Sequence, residues 1–325
     1  MINELGEELA LREVFEANIS NPVNRRYELM TRMNGFEKLS KELGHIALFA
    51  TVTCPSKYHN SYAKSGDRNP KWNGATEYEA QQYLNAVWRK TRAELARQAI
   101  QQYGFRIAEP QHDGTPHWHL LVFIEPKHKD TLIDIYTHHA MEEDGAENGA
   151  AENRITFVDI DPQRGSATGY VAKYVSKNID GGGLDTDING GDATEAARRV
   201  EAWASCWGIR QFQQLGNTSV TVWREMRRLK KAEKESEQFQ AIHKAADKGN
   251  WAEFVTTMGG VMCKRDEMAI RPYYDITIDS DTGEVKQSYF DEEPTVKIKG
   301  LKYEGKEIIM REHSWRIERR QEQAA

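Results

Sequence analysis

The ten residues GTPHWHLLVF, from Gly114 to Phe123, decide how the middle of this chain folds. Their apolar and aromatic content predicts a buried β-strand. Side chains two positions apart in a strand share a face, so His117 and His119 lie on one side while Leu120 and Val122 point to the other. Two imidazoles on the same face can reach one metal ion.

A second strand is predicted directly before the histidine strand. The segment FRIAEP precedes it, and a turn containing an Asp-Gly pair joins the two. Asp-Gly favours a hairpin, although this loop is longer than two residues. A hairpin centred near Asp113 places Glu109 directly across from His117, which adds a carboxylate to the two imidazoles as a third ligand for a divalent cation. His112, in the turn, is the alternative third ligand.

The segment YVAKYVSKN is the second motif that carries chemistry. Tyr170 and Tyr174 are four residues apart, and each is followed three residues later by a lysine, Lys173 and Lys177. In a helix this spacing puts both phenols on one face. The preceding GSATG supplies two candidate caps, Ser166 or Thr168, and a run of glycines ends the helix. A metal site together with two phenols suggests cleavage of a DNA strand.

Helices and strands alternate in the rest of the first half. The alternating pattern in HIALFATVTCPS predicts a strand that stops at a proline. A capping box of Thr76 and Glu79 begins a helix, whose apolar spacing continues until Gly104. An acidic low-complexity loop at residues 141–153 is followed by the predicted strand RITFVDI.

The second half of the chain begins with helices and ends in predicted hairpins. A capped helix is predicted from Asp192 to Gly208, followed by the strand IRQFQQL. A charged helix is predicted from about Val222 to Lys248. From Pro272 onward, YDITID, DTGEV, TVKIKGLKY and EGKEIIMR suggest β-hairpins without a catalytic pattern.

Composition indicates a soluble globular protein. Hydrophobic residues make up 39% of 325 residues, enough for a core, and no stretch approaches the roughly 20 apolar residues of a membrane span. The acidic, amphipathic start MINELGEELALREVF does not resemble a secretory signal. Cys54, Cys206 and Cys263 fit neither a zinc pattern nor an even disulfide framework. Cytoplasm is the expected compartment.

The net charge argues against a protein that coats nucleic acid. It is −6, with a pI near 6.0, so contacts to DNA must come from local basic patches. Two clusters qualify: the run WREMRRLKK, and four residues within one predicted helix, namely Arg89, Lys90, Arg92 and Arg97. Either cluster would otherwise be an ordinary solvated helix face.

Three segments in the order FATVT, TPHWHLLVF and YVAKYVSKN resemble the motifs of rolling-circle replication initiators of the HUH endonuclease superfamily. The two-tyrosine form is similar to the replication gene A proteins of temperate tailed bacteriophages. WGIRQF and TVWREMRRL extend the similarity to residues from about 20 to 230. The resemblance implies an α+β fold, with a ferredoxin-like HUH core in which helices flank a central antiparallel sheet.

This resemblance also implies a metal-dependent, site-specific nick in one DNA strand. Glu109, His117 and His119 would bind Mg²⁺ or Mn²⁺, which would withdraw charge from a nonbridging oxygen and fix the phosphodiester for in-line displacement. No GxxxxGK phosphate loop is present, so an ATP-driven motor is not supported.

The tyrosines would be the nucleophiles. Attack leaves a 5′-phosphotyrosine link and a free 3′-OH that primes synthesis; the second tyrosine then cleaves the new junction for termination and rejoining. Tyr174, which begins a YxxK pattern, is assigned the first nick, and Tyr170 the second. A free phenol has a pKa of about 10, so its anion needs nearby positive charge, from the metal and from Lys173 or Lys177.

Domains and partners follow from the same resemblance. We expect a helical N-terminal segment at residues 1–40, the HUH endonuclease domain at 41–230, and a helical and β-hairpin appendage at 231–325. The substrate would be single-stranded or locally unpaired origin DNA, with Tyr58 and Trp72 available to stack on bases. A host helicase and DNA polymerase are the expected partners, in the cytoplasm of a bacterial host and away from any membrane.

Three other readings stay open at this point. A transposase or relaxase would use the same chemistry for strand transfer. A cupin-type metal oxygenase also combines HxH with a carboxylate, but it needs a β-barrel, whereas predicted helices interrupt the strands here. A non-catalytic DNA-binding protein would retain every activity after both tyrosines are replaced by phenylalanine.

Overall fold

The chain has a mixed α+β fold. The computed structural model describes residues 1–183, 186, 190–230, 232, 236–278, 282–287 and 294–318. It divides into two compact units, one formed by residues 22–216 and the other by residues 1–21 with 217–325. The domain boundaries expected from the sequence, at residues 40 and 230, stay a prediction.

Strands and helices are interspersed along the described residues. The strands are β1 (Ile2–Asn3), β2 (Ile46–Val52), β3 (Tyr103–Pro110), β4 (Pro116–Ile124), β5 (Ile155–Asp159), β6 (Phe212–Leu215), β7 (Ile270–Ile276), β8 (Val296–Tyr303), β9 (Lys306–Ile309) and β10 (Trp315–Arg316). The α-helices are α1 (Leu11–Ala17), α2 (Pro22–Leu43), α3 (Glu77–Arg97), α4 (Lys129–Met141), α5 (Ala150–Asn153), α6 (Ala167–Ile179), α7 (Ala193–Cys206), α8 (Val220–Met226), α9 (Glu237–Asp247) and α10 (Trp251–Thr257).

A five-stranded antiparallel sheet organises the unit of residues 22–216. Its strand order is β5-β2-β4-β3-β6, so the histidine strand β4 is central. The edge strands β5 and β6 each pair with one neighbour, so these strands form an open sheet and not the barrel that a cupin requires. The predicted α+β class with a central antiparallel sheet is therefore confirmed.

Helices cover both faces of this sheet. On one face Leu120 and Val122 pack with Leu84 and Val87 of α3 and with residues of α4. On the other face Phe36 of α2 packs against the rings of β3, and α6 lies beside it. Since side chains alternate along a strand, the face that carries Glu109 and the histidines is the one covered by α2 and α6.

The second unit is built from short helices and hairpins. Strands β7, β8 and β9 form an antiparallel sheet in the region where hairpins were predicted, and β1 pairs with β10. Residue 281, in the predicted DTGEV hairpin, lies outside the described residues. The Trp223 ring of α8 lies 5.1 Å from Trp251 and 5.0 Å from Phe254, both of α10.

The single charged helix predicted from Val222 to Lys248 is wrong. The chain forms α8 and α9 instead, with turns at residues 227–229 between them and with residues 231 and 233–235 outside the described part. His243 of α9 bonds the carbonyl oxygen of Leu229 at 2.7 Å, and α8 packs against α9. One straight helix could not make these contacts.

The predicted end of the α3 helix at Gly104 is also wrong. Helix α3 begins at its predicted Thr76–Glu79 capping box but ends at Arg97, and Gly104 lies in β3. There its φ is +144°, and a Cβ atom would lie 2.0 Å from the carbonyl oxygen of Leu121 in β4. The glycine therefore permits the close approach of two central strands.

No helix among the described residues is both long and apolar enough to cross a membrane.

Replacing Gly104 should destabilise the sheet strongly. We expect Gly104→Ala to lower the free energy of unfolding by about 3 kcal/mol, because the added methyl group overlaps the β4 backbone. Gly44→Ala is the matched control: its φ is +69° and a Cβ atom there meets nothing within 4 Å. The Gly44→Ala substitution should lower the free energy of unfolding by only about 1 kcal/mol. Urea denaturation measures both; equal losses would contradict the steric explanation.

Candidate metal and tyrosine site

The hairpin register places the proposed metal ligands together, as predicted. Glu109 of β3 is paired with His117 of β4, and His119 is paired with Thr51 of β2. The Glu109 Oε2 atom lies 3.4 Å from His119 Nε2 and 3.9 Å from His117 Nε2. One donor atom from each of the three residues falls within 4.8 Å of the others. One ion could therefore contact all three.

His119 is oriented by its neighbours on β2. Its Nδ1 atom lies 3.0 Å from Thr51 Oγ1, and its ring stacks on Phe49 with centroids 5.3 Å apart. When Nδ1 donates to the threonine, the Nε2 lone pair faces Glu109 and is free to bind a cation. The Thr51 contact is thus compatible with the tautomer that coordination needs.

The pKa shifts of Glu109 and His117 favour the protonation states that bind metals. Burial alone would raise the pKa of Glu109, but the hydrogen bond and charge of His119, with Lys177 and His117, lower it to about 2. Burial lowers the pKa of His117 to about 3, with further lowering by His119. An ionised carboxylate and a neutral imidazole are the forms that ligate divalent cations.

The donor set therefore fits a divalent cation. Two imidazoles and one carboxylate, buried at one end of a hairpin, match the chemistry of metals that accept mixed nitrogen and oxygen ligands. The Nδ1 atom of His117 is buried and has no hydrogen-bond partner among the described residues, so the hairpin itself leaves this imidazole under-satisfied. Glu109 is close enough to share an ion with both rings.

A second group of possible ligands is less suited to a cation. His138, His139 and Glu142 also lie within reach of one another, at the C-terminal end of α4. Lys90 already forms an ion pair with the Glu142 carboxylate, and His138 is exposed. The His138 side chain is 69% exposed, so this group is not enclosed as the Glu109 group is.

Helix α6 brings Tyr174 to a candidate metal ligand, His119, and places Tyr170 beside Phe49. Ser166 caps the helix, as predicted, by accepting a hydrogen bond from the Gly169 amide. The Tyr174 ring lies 4.6 Å from the ring of His119. The Tyr170 ring lies 4.9 Å from Phe49 and is 37% exposed, so this phenol is the more accessible of the two.

The two lysines of the motif have different environments. The Lys173 Nζ atom lies 5.0 Å from the centre of the Tyr174 ring and 5.8 Å from that of Tyr170. Lys177 instead points at the ligand carboxylate, with Nζ 3.4 Å from Glu109 Oε2. Lys173 is thus placed to act on the phenols, and Lys177 on the metal site.

Asn178 is a site residue that our sequence analysis did not single out, although it ends the quoted YVAKYVSKN motif. It is fully buried, and its Nδ2 donates to Glu109 Oε1 and, at 2.6 Å, to the carbonyl oxygen of Tyr174. One amide thus links the ligand carboxylate to the helix that carries the phenols. The signal available in the sequence was its position one turn after Tyr174.

Helix α2 holds both ends of the tyrosine helix. Glu37 accepts a hydrogen bond from the Thr168 amide at 2.9 Å, in the first turn of α6. At the other end, Arg26 Nε bonds Asp180 Oδ2 at 2.9 Å. These contacts fix the height and rotation of α6 over the sheet.

Other predicted contributors lie away from this site. The basic residues of α3 are exposed on a helix that covers the opposite face of the sheet, and Lys90 and Arg97 are paired with glutamates; the set is Arg89, Lys90, Arg92 and Arg97. This patch cannot supply contacts at the histidines. His112 lies next to Ser61 and is not part of the ligand group, so Glu109 is the better third ligand.

The aromatic residues expected to stack on bases, Tyr58 and Trp72, are anchored within the fold, and base stacking stays a prediction. The Tyr58 ring packs 5.2 Å from that of Tyr83, and burial raises the pKa of Tyr58 to about 12. The Trp72 indole donates to the carbonyl oxygen of Ala75 within its own loop. All three cysteines are free, and of these only Cys54 is buried.

Comparison with known proteins gives a consistent family. Residues 1–182 match the family described as bacteriophage replication gene A protein (GPA). The chain is 43% identical to the replication gene A protein of Escherichia phage 186, over 97% of this chain and 46% of that protein. It is 40% identical to the replication protein of Haemophilus phage HP1, over 97% and 40%.

A bacterial relative carries a more specific name. The probable replication endonuclease from a prophage-like region of Salmonella paratyphi A is 36% identical, over 85% of this chain and 36% of that protein. A solved structure, the aminoacylhistidine dipeptidase of Vibrio alginolyticus, aligns over 57% of this chain and 44% of its own, with 12% identity and a TM-score of 0.19. That likeness is too weak to bear on fold or function.

The chain spans less than half the length of the curated relatives described above. Within that span, the match covers the hairpin with Glu109, His117 and His119 and the tyrosine helix α6. The resemblance read from three short motifs is therefore confirmed over most of the chain. This chain belongs to the bacteriophage replication gene A protein family.

Proposed function

We propose that this chain initiates rolling-circle DNA replication by nicking one strand at an origin. A tyrosine attacks the scissile phosphate, forms a 5′-phosphotyrosine bond and releases a 3′-OH. The observation that carries this proposal is the contact between a buried two-histidine, one-carboxylate group and Tyr174, whose ring lies 4.6 Å from His119. Nucleophile and electrophile-binding groups are thus side by side.

Metal chemistry supports the choice of a phosphodiester as substrate. A bound Mg²⁺ or Mn²⁺ supplies Lewis acidity that neutralises charge on a nonbridging phosphate oxygen. Glu109, His117 and His119 would hold the ion, and Lys177 would hold the carboxylate in its ionised form. In-line geometry then depends on where α6 places the phenols.

The phenol must lose its proton during attack. The pKa of Tyr174 is raised, first by burial and then by the neighbouring Tyr170 and Glu109 side chains. Lys173, 5.0 Å from the Tyr174 ring, offers a counter-charge to the developing phenolate. Tyr174 is therefore a neutral phenol at neutral pH, and a cation held by Glu109 would favour its phenolate form.

The two tyrosines have unequal positions, which supports unequal roles. Tyr174 contacts a metal ligand directly, whereas Tyr170 contacts Phe49 and is more exposed. We assign the first nick to Tyr174, and the second cleavage and rejoining to Tyr170. Because the attacked strand ends covalently bound to one tyrosine, a second nucleophile can cleave the junction made after a round of synthesis.

The wider proposals follow the family. The five-stranded sheet with β4 at its centre would be the ferredoxin-like HUH core, within an endonuclease domain at residues 41–230. Single-stranded or locally unpaired origin DNA would be the substrate, in the cytoplasm of a host cell. A host helicase and DNA polymerase would act on the exposed strand and the 3′-OH.

Removing both phenols should abolish the covalent product. We expect the Tyr170→Phe, Tyr174→Phe double variant to form no protein-DNA adduct with Mn²⁺ and labelled single-stranded DNA that contains the origin, on denaturing gels. Tyr78→Phe is the matched control, because Tyr78 is an exposed tyrosine of α3 on the other face of the sheet. A full yield of adduct from the double variant would refute the tyrosine mechanism.

Loss of a histidine ligand should weaken metal binding. We expect His117→Ala to raise the dissociation constant for Mn²⁺ by about 100-fold or more, measured by isothermal titration calorimetry. His128→Ala, in the turn before α4, is the control and should bind as the unaltered protein does. Unchanged binding in His117→Ala would place the ion elsewhere.

Asn178 should act on the metal site through Glu109. We expect Asn178→Leu, which keeps the size but removes the amide, to weaken Mn²⁺ binding by about 10- to 100-fold. Adduct formation should recover partly at saturating Mn²⁺. Asn85→Leu, on α3, is the control, and circular dichroism checks folding. Equal metal affinity in both variants would show that Asn178 serves only to pack the helix.

A further inference from the structure

A polar cavity lies beyond the end of the sheet, next to the metal site. Its volume is about 310 Å³, and it is enclosed by the end of β2, the β3–β4 turn and the loop before β5. Thr53 and Gln111 are among the lining residues. The tyrosine mechanism proposed above does not use this cavity.

The cavity continues the row of groups that forms the metal site. Thr53 follows Thr51 by two residues along the same strand direction, and Gln111 follows Glu109 by two, so each lies about 7 Å further along the chain. Thr51 contacts His119, and Glu109 is a metal ligand candidate. A strand of DNA whose phosphate sits at the histidines would have its neighbouring nucleotide at this cavity.

The lining suits a nucleobase and not a phosphate. Arg154 lies in the wall but is only 2% exposed. Its guanidinium donates hydrogen bonds to the carbonyl oxygens of Ala140 and Glu143 and to the Glu147 carboxylate. Glu147 also lines the cavity, and its carboxylate compensates the charge of Arg154, so this ion pair offers no spare positive charge to a phosphate.

Uncharged hydrogen-bonding groups face the space instead. The uncharged polar residues of the lining are Gln111, Asn148, Asn153 and Thr53. Of these, the Thr53 hydroxyl already donates to the carbonyl oxygen of Asn153 at 2.7 Å, and the Asn153 amide donates to that of Gly149 at 2.8 Å. The Gln111 and Asn148 side chains make no hydrogen bond within the described part of the chain, so their amides can pair with a base edge. Tyr62, 43% exposed at the cavity, offers a ring on which a base can stack.

The walls are held before any ligand arrives. Asn69 is buried and donates to the carbonyl oxygens of Ser56 at 2.8 Å and His59 at 2.9 Å, which closes the loop after β2. His59 Nδ1 lies 3.0 Å from Asp113 Oδ2, which ties that loop to the β3–β4 turn. A preformed cavity costs little ordering when a base enters.

We propose that this cavity receives one unpaired nucleobase, from the nucleotide next to the scissile phosphate. Gln111 and Asn148 read its edge, and Tyr62 stacks on its face. This assignment rests on the proposed function, because it identifies that site's substrate as a single strand with one base turned out of the stack. The cavity would then contribute to the choice of the cleavage position.

An abasic scan tests the proposal. Labelled single-stranded oligonucleotides, each lacking one base, are titrated in EDTA and read by fluorescence anisotropy. We expect one position next to the cleavage point to lose about tenfold in affinity when its base is missing. In Gln111→Ala and Tyr62→Ala, the intact oligonucleotide should bind about tenfold more weakly. Removing the base at that position should then lower the affinity no further.

The controls are the same substitutions away from the cavity. Gln101 lies before β3 at the other end of the sheet, and Tyr78 lies on α3. Gln101→Ala and Tyr78→Ala should both show the same position-dependent loss of affinity as the unaltered protein. A scan that Gln111→Ala and Tyr62→Ala leave unchanged would overturn the proposal.

Failure of the two proposals can be told apart. Adduct formation tests cleavage, whereas the scan reads binding without metal and can use any single-stranded oligonucleotide that the protein retains. If an adduct forms but no single missing base lowers the affinity, only the proposal of a base-binding cavity is refuted. If one missing base lowers the affinity but no adduct forms, base binding by the cavity is supported and the proposed cleavage is refuted.

Discussion

The structure of this site depends on one buried carboxylate. Glu109 has 3% of its side chain exposed, yet it stays ionised because His119, Lys177 and Asn178 surround it and His117 lies opposite. A buried charge without partners is costly, and removing one partner typically costs about 3–5 kcal/mol. The hairpin and the tyrosine helix therefore meet at Glu109 for electrostatic reasons, and the same charge that holds them together also attracts a cation.

The two faces of the sheet have different roles: one packs in the hydrophobic core and the other carries the candidate site. One face carries Leu120, Val122 and other apolar groups under α3 and α4, and it forms a continuous core. The opposite face carries Thr51, Glu109 and the histidines under α2 and α6. Alternation along β2, β3 and β4 makes this division possible, because each strand contributes to both faces at once. The site sits on central strands, which are the most rigid part of a sheet and position ligands well.

Mobility in this site is limited by the attachment of α6. Glu37 and Arg26 of α2 hold its two ends, and Asn178, in its last turn, bonds Glu109 of the sheet. Covalent catalysis needs the phenol within reach of a phosphate, and small displacements are costly in rate. Tyr174 lies on the constrained side of the helix, whereas Tyr170 lies one turn earlier and is more accessible. A helix fixed in this way can present two nucleophiles to one metal site.

The sequence alone determined the local pieces: the hairpin register that pairs Glu109 with His117, the shared face of His117 and His119, and the caps of α3 and α6. These depend on neighbours close along the chain, where side-chain period and turn chemistry act directly. Only the tertiary structure decided that Lys177 and Asn178 turn to Glu109, that Gly104 lies in a strand beside Leu121, and that the basic residues of α3 face away from the site. Those outcomes depend on which elements pack together. The spacing of residues within one segment does not indicate which distant segments will contact it.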